Sequence, residues 1–193
     1  FGPLLAWIVS LWPAENRQLV LAMDATSLKQ CFVVLSISVV IRSCAIPVAW
    51  AVLPQGQPGA WKPHWLALLQ SLQNTIPSTW QVLVMADRGL FARWLYTAIR
   101  ELGWHPFLRL NSDCVYRLPG QEACHPMKQL LAKPGMVWVG KVNCFLHNSL
   151  DTTLLACWGV TCQEPWLILT DLPPDQATAH WYGFRSWIES GFK

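Results

Sequence analysis

Two apolar runs in this chain each close on a single carboxylate. Leu19-Val20-Leu21-Ala22-Met23 leads into Asp24, and Val82-Leu83-Val84-Met85-Ala86 leads into Asp87. Uninterrupted runs of this length read as fully buried strands, and an acid at the C-terminal end of such a strand stands at the sheet edge, where ligands and metals reach it. A second reading holds for each acid taken singly, because Asp also caps the turn or helix that follows a strand. Between the two runs, Cys31 to Ile41 and Ala45 to Leu53 are rich in Val and Ile and joined by short turns. They predict an antiparallel meander with the first strand, and Pro47 points to an edge position for the third. Trp61, Trp65, Leu68, Leu69 and Leu72 recur at helical spacing and predict a helix over about 61–75. The strand ending at Asp87 is thus reached through a helical crossover, the connection that a parallel neighbour requires. It belongs beside the first strand, with both carboxylates at one edge.

Arg88-Gly89 turns the chain into a second amphipathic helix with the stripe Phe91, Trp94, Leu95, Ala98 and Leu102, stopped by Gly103. His105 to Leu110 follows as a fifth strand. Three antiparallel strands, a helix, a strand, a helix and a strand make the order of an α/β, ribonuclease-H-like fold, a mixed five-stranded sheet with flanking helices. From 112 to 164 short apolar pieces alternate with Gly, Asn and Pro, which predicts a β-rich insertion. The core resumes at Trp166 to Thr170, Asp171 closes that strand, and a last helix is expected from near Asp175 to the end. Residues 3–12 resemble the end of a helix stopped by Pro13. The expected organisation is therefore an N-terminal helical tail (1–18), a core in two pieces (19–111 and 165–193) and the insertion between them.

Composition narrows the classes. With 193 residues, 53% hydrophobic and only 13% charged, the chain is long enough for one sizeable core carrying an appendage. A net charge of +3 permits nucleic-acid binding. No run of five basic residues occurs, so a basic groove would have to be assembled by the fold. Seven Cys, an odd number without paired spacing, read as reduced thiols. Cys114, Cys124, His125, Cys157 and Cys162 fit no common zinc-ligand spacing. The longest membrane-span candidate, Cys31 to Leu53, is broken by Arg42-Ser43 and Pro47 and reads as two strands, so no membrane partner is expected. Phe1 and Lys193 read as cut points within a longer protein.

On the last helix, at 100° per residue, Tyr182, Arg185 and Glu189 fall within about 60° of one another, beside a core stripe of Trp181, Phe184, Ile188 and Phe192. Taken alone, this is an Arg–Glu surface pair flanking a core face. Tyr182-x2-Arg185-x3-Glu189, however, resembles the signature of a large branch of bacterial insertion-sequence transposases of the DDE type. Met23-Asp24-Ala25-Thr26 and Ala86-Asp87-Arg88-Gly89 resemble the surroundings of that family's first and second acids. The likeness runs from Leu19 to Lys193, and the β-rich insertion before the Glu is also a feature of the branch. Two departures stand out. The family's Lys, seven residues after the Glu, would fall at position 196, and its N-terminal DNA-binding region has no counterpart here.

The resemblance implies metal-dependent cleavage of DNA at insertion-sequence ends, then attack of the freed 3′-hydroxyl on target DNA. Asp24, Asp87 and Glu189 would hold two Mg²⁺ ions, with Mn²⁺ able to substitute. Hard cations that keep several waters suit carboxylate oxygens, and paired ions about 3.5–4 Å apart activate the nucleophile and stabilise the leaving oxygen. Tyr182, Arg185, Arg88 and Lys193 would contact DNA. The implied partners are transposon ends and target DNA, with a homodimer in the full-length complex and a bacterial cytoplasmic, nucleoid-associated location. Trp138 and Trp158 are candidates for stacking on a displaced base, and Asp171 competes with Glu189 as third acid. The alternatives are a nuclease or resolvase of the same fold, and a catalytically inactive domesticated fragment that binds DNA or protein.

Overall fold

The computed structural model describes residues 1–13, 15–41, 44–56 and 61–186. Glu189 and Lys193, two of the expected site residues, lie outside the described residues.

A short helix α1 (Gly2–Ser10) precedes the meander β1 (Gln18–Leu28), β2 (Phe32–Ile41) and β3 (Cys44–Pro54). Helix α2 (Trp61–Gln73) crosses to β4 (Gln81–Ala86), and α3 (Arg93–Glu101) crosses to β5 (His105–Arg109). Then come β6 (Val115–Arg117), β7 (His125–Pro126), β8 (Val137–Cys144), β9 (Leu150–Cys157) and β10 (Trp166–Thr170). All ten strands form one sheet in the order β3-β2-β1-β4-β5-β10-β9-β8-β6-β7. The first five are the expected mixed sheet, with β1, β4 and β5 parallel and β2 and β3 antiparallel.

The sheet is wider than the sequence pattern predicts. The strands of 112–164 extend the central sheet through β9 and β10 instead of folding as a separate layer. The short apolar pieces between Gly and Asn gave the strands but not their partner. β9 reads Leu-Asp-Thr-Thr-Leu-Leu-Ala-Cys and is buried at seven of its eight positions, as a strand with neighbours on both sides must be. Its Thr152 and Thr153 satisfy their hydroxyls on the carbonyls of Thr170 and Leu172.

β1 and β4 are buried on both faces, which explains their continuous apolar runs. Leu21, Met23, Val84 and Ala86 join the core under the helices, while Val20, Ala22, Leu83 and Met85 join the core on the opposite face. α2 buries Trp65, Leu68, Leu69 and Leu72. α3 buries Leu95, Tyr96 and Ile99, a stripe rotated from the expected one, and Gly103 at φ +77° supplies the left-handed stop. Pro47 sits on the edge strand, next to a register shift between Ile37 and Ser38. The expected last helix is, over its described part, two 3₁₀ segments, Pro174–Gln176 and Ala179–Ser186. Among the described residues no helix is long and apolar enough to cross a membrane.

Candidate active site

β1 and β4 run in the same direction, so both deliver their C-terminal residues to one edge. Their last paired rung is Met23 with Ala86, which leaves Asp24 and Asp87 side by side one step further on. The two acids are held differently. β1 does not end at Asp24, as its sequence pattern suggests, but continues to Leu28 in the hairpin with β2, where Asp24 pairs with Ser36. β4 stops at Ala86, and Asp87 caps the 3₁₀ turn Arg88–Leu90 by accepting the Arg88 N–H at 2.6 Å on Oδ1. The cap and the site reading of Asp87 therefore coexist on its two oxygens. Asp24 divides its oxygens in the same way, with Oδ2 accepting the Thr26 hydroxyl at 2.6 Å.

The oxygens left over meet one guanidinium. Arg185 Nη2 lies 3.3 Å from Asp24 Oδ1 and 3.5 Å from Asp87 Oδ2, and Arg185 Nε is buried without a hydrogen-bond partner among the described residues. Arg185 was expected to contact DNA. It turns instead onto the acids, because two adjacent carboxylates attract a nearby guanidinium. The 3₁₀ geometry of Ala179–Ser186 places residues three apart above one another, which keeps Tyr182 and Arg185 on one side. Tyr182 is buried, and its hydroxyl donates to the Ala86 carbonyl at 3.2 Å, locking this segment to the end of β4. Burial pushes the phenol far above its ordinary range, assisted by Asp87 and opposed chiefly by Arg185, so it remains a neutral donor.

Two further residues belong to this edge and escaped sequence reasoning. Arg109 is the last residue of β5, one step beyond the Ala86–Leu108 rung and hence beside Asp87. Its Nη2 bonds Glu164 at 2.8 Å, and Arg88 Nη1 bonds both Glu164 oxygens at 2.8 and 3.1 Å. An Arg closing an otherwise apolar strand was a readable signal for Arg109. Glu164 sits in an irregular loop, where no periodicity could mark it. Arg88, expected on DNA, is thus committed to Glu164 here.

The competing third acid lies at the opposite end of the sheet. β10 runs antiparallel to β5, so Asp171 emerges where β5 begins and bonds His105 at 3.0 Å and Arg100 at 3.5 Å. It cannot share ligands with Asp24 and Asp87. Trp138 and Trp158, the candidates for base stacking, are half-buried against the core. Trp138 lies 6.1 Å from the Tyr116 ring, and Trp158 donates its indole N–H to the Cys162 carbonyl at 3.0 Å.

The donor chemistry fits Mg²⁺. Two hard carboxylates converge on a single cation, and Mg²⁺ binds through one or two carboxylates with water and substrate phosphate completing its shell. Among the described residues no cluster of three metal-ligating side chains occurs, and Glu189 lies beyond them.

No protein-family model and no curated protein matches this sequence. Among solved structures it is similar to a piggyBac transposase in a synaptic complex with hairpin DNA, at 11% identity and a TM-score of 0.52. The match covers 91% of this chain and 39% of that one, so the chain spans about two fifths of the transposase's length. The likeness is one of fold: the large mixed sheet with flanking helices is a ribonuclease-H-like architecture found in a transposase.

Proposed function

We propose that this chain is the catalytic core of a DDE-type transposase of the insertion-sequence kind, which cuts DNA at the ends of its element and joins the freed 3′ ends to a target. The observation that carries the reading is the pairing of Asp24 with Asp87 at one sheet edge, each with an oxygen turned toward a shared cation. The fold likeness to a transposase solved with hairpin DNA supports the substrate class.

Asp24 and Asp87 hold the metal ligand set, with Glu189 as the expected third acid. Bound Mg²⁺ supplies an activated oxygen nucleophile and stabilises charge on the attacking and leaving oxygens. The local bonds from Thr26 and from the Arg88 N–H fix both carboxylates in orientation, so that little reorganisation is left for the chemical step. Arg185, beside both acids, would take a non-bridging phosphate oxygen of bound DNA. Its planar fork suits a phosphate as well as a carboxylate. Tyr182 anchors the segment that carries Arg185 to the strand that carries Asp87.

The test uses the full-length protein and linear DNA carrying the sequences that flank its gene. Cleavage at the element ends, leaving 3′-hydroxyls, is expected with Mg²⁺ or Mn²⁺ and not with EDTA. It should disappear in Asp24→Asn without loss of the fold. Absence of metal-dependent cutting in both metals would overturn the assignment.

A further inference from the structure

β3 closes one side of the sheet, and among the described residues no strand pairs with its outer side. Open edges are ordinarily guarded by charge, proline or a bulge, because their unpaired N–H and C=O groups template pairing with another chain. Here Pro47 and the register shift beside it guard only the first half of the strand. The stretch that follows, Val48 to Leu53, holds neither a proline nor a charge. Helix α1 lies against β3, with Phe1 edge-on to Trp50 at 4.9 Å between ring centroids, and it is uncharged as well. It buries Leu5 and Ile8 and leaves Trp7 and its C-cap Leu11 uncovered. Phe1, Trp7, Leu11, Ile46, Trp50 and Val52 are each 38–67% exposed.

We propose that this side of the molecule is a surface for a second copy of the same chain, in which the two β3 edges pair antiparallel into one continuous sheet. The choice of occupant rests on symmetry, charge and area. Two identical strands that pair antiparallel are related by a two-fold axis normal to the sheet. Each copy then supplies the hydrogen-bonding groups that the other lacks, and both α1 helices arrive on the same face, side by side. Neither copy brings a charge from α1 or β3 into the contact, so no ion is stranded. At about 150–250 Å² per large side chain, the six exposed residues offer on the order of 600 Å² of apolar surface. That is the apolar share, about 65%, of a homodimer face of roughly 900 Å² per partner, within the standard size of a stable interface. The register follows from the prolines and the faces. Trp50 and Val52 lie on one face, opposite Ser36 and Val34 of β2, so Trp50 of one copy can stand directly across from Val52 of the other. Ala51, a small residue, then sits on the axis, midway in the proline-free stretch. The pairing is independent of the chemistry proposed at Asp24 and Asp87.

The experiment is sedimentation equilibrium of the full-length protein without DNA. A dimer is expected at about 10 µM, since interfaces of this area bind in the micromolar range or tighter. Val52→Lys changes an exposed side chain and should weaken the dimer at least about a hundredfold, because the two-fold axis brings two unpaired charges into the apolar contact. Its far-UV circular dichroism should match that of the wild type. Ala51→Cys is read separately, in protein whose exposed Cys31, Cys44 and Cys124 are replaced by Ser. Mild oxidation should join two copies through position 51, as peptide mass spectrometry of the linked species would show. Should Val52→Lys fail to fold, the link at position 51 decides alone. A wild-type monomer at about 100 µM, above the range for an interface of this area, would overturn the proposal, whether the β3 edge is bare or covered by another part of the full-length chain. So would a dimer that Val52→Lys leaves intact and that Ala51→Cys does not link, since the copies then meet elsewhere.

Discussion

Arg185 Nη2 stands 3.3 Å from Asp24 Oδ1, joining two residues that are 161 positions apart in the chain. Both side chains are mostly covered, with 16% and 22% of their surfaces exposed. The guanidinium holds the carboxylate oxygens that a metal ion would use, so the two cations compete for them.

Arg185→Gln should therefore bind Mn²⁺ more tightly than the wild type in the absence of DNA. A partly exposed ion pair contributes about 0–1 kcal/mol, which sets the gain at up to about fivefold. The same variant should cut DNA more slowly, because the phosphate contact goes with the guanidinium. Calorimetric titration with Mn²⁺ beside end-cleavage rates checks both signs. Weaker metal binding in the variant would mean that Arg185 orders the acids instead of competing for them.

Glu164 pairs with two arginines at the same edge. It receives both Arg88 and Arg109, so each guanidinium shares a carboxylate that competes with phosphate for it. Glu164→Gln should strengthen binding to non-specific DNA. It should also steepen the dependence of log K on log salt by about one to two units, since each added phosphate contact contributes about 0.9. An unchanged slope would show that the two arginines stay out of reach of the backbone.

Tyr96 gives the fold a pH signature independent of the site. It is buried in α3 with its hydroxyl 2.9 Å from that of Thr152, and burial above all pushes its pKa up from 10 to about 12. The folded protein holds this proton more tightly than the unfolded chain does. The contribution is fully present below pH 10 and is lost as the pH rises from 10 through about 12. Tyr96→Phe lacks that titration and should be about 1 kcal/mol less stable at pH 7, through the lost hydrogen bond. The wild-type lead in melting temperature should shrink above pH 10. A gap that stays constant up to pH 11.5 would place the phenol pKa at its ordinary value.

What could be read from the sequence follows from which physical signals are local. Asp24 and Asp87 were legible because a stretch buried on both faces must be apolar throughout, so a charge that closes the apolar run breaks the pattern visibly. The meander was legible from Val- and Ile-rich runs joined by short turns, and the crossovers from apolar residues at helical spacing. The α3 stripe was misplaced because Tyr96 reads as half polar, and its hydroxyl is satisfied by Thr152 from 56 residues away, a long-range fact. The partner of the 112–164 strands was invisible because pairing through β9 and β10 is a matter of register, which apolar runs on both faces leave unmarked.

The two tasks of Asp87 can be separated by substitution. Its Oδ1 caps the turn that follows β4, while Oδ2 faces Arg185 at 3.5 Å. Asn keeps an oxygen acceptor for the Arg88 N–H but carries no charge, whereas Ala removes both. Asp87→Asn should leave the melting temperature near that of the wild type, and Asp87→Ala should lose about 1 kcal/mol with the cap. Both should lower cleavage by more than about a hundredfold, the upper end of the loss typical when only an outer-sphere partner of a metal ligand is removed. The readout is stability and end cleavage on the same three proteins. If Asp87→Asn cuts at the wild-type rate while Asp87→Ala is merely unstable, Asp87 is a cap alone and the acid pair is not the catalytic centre.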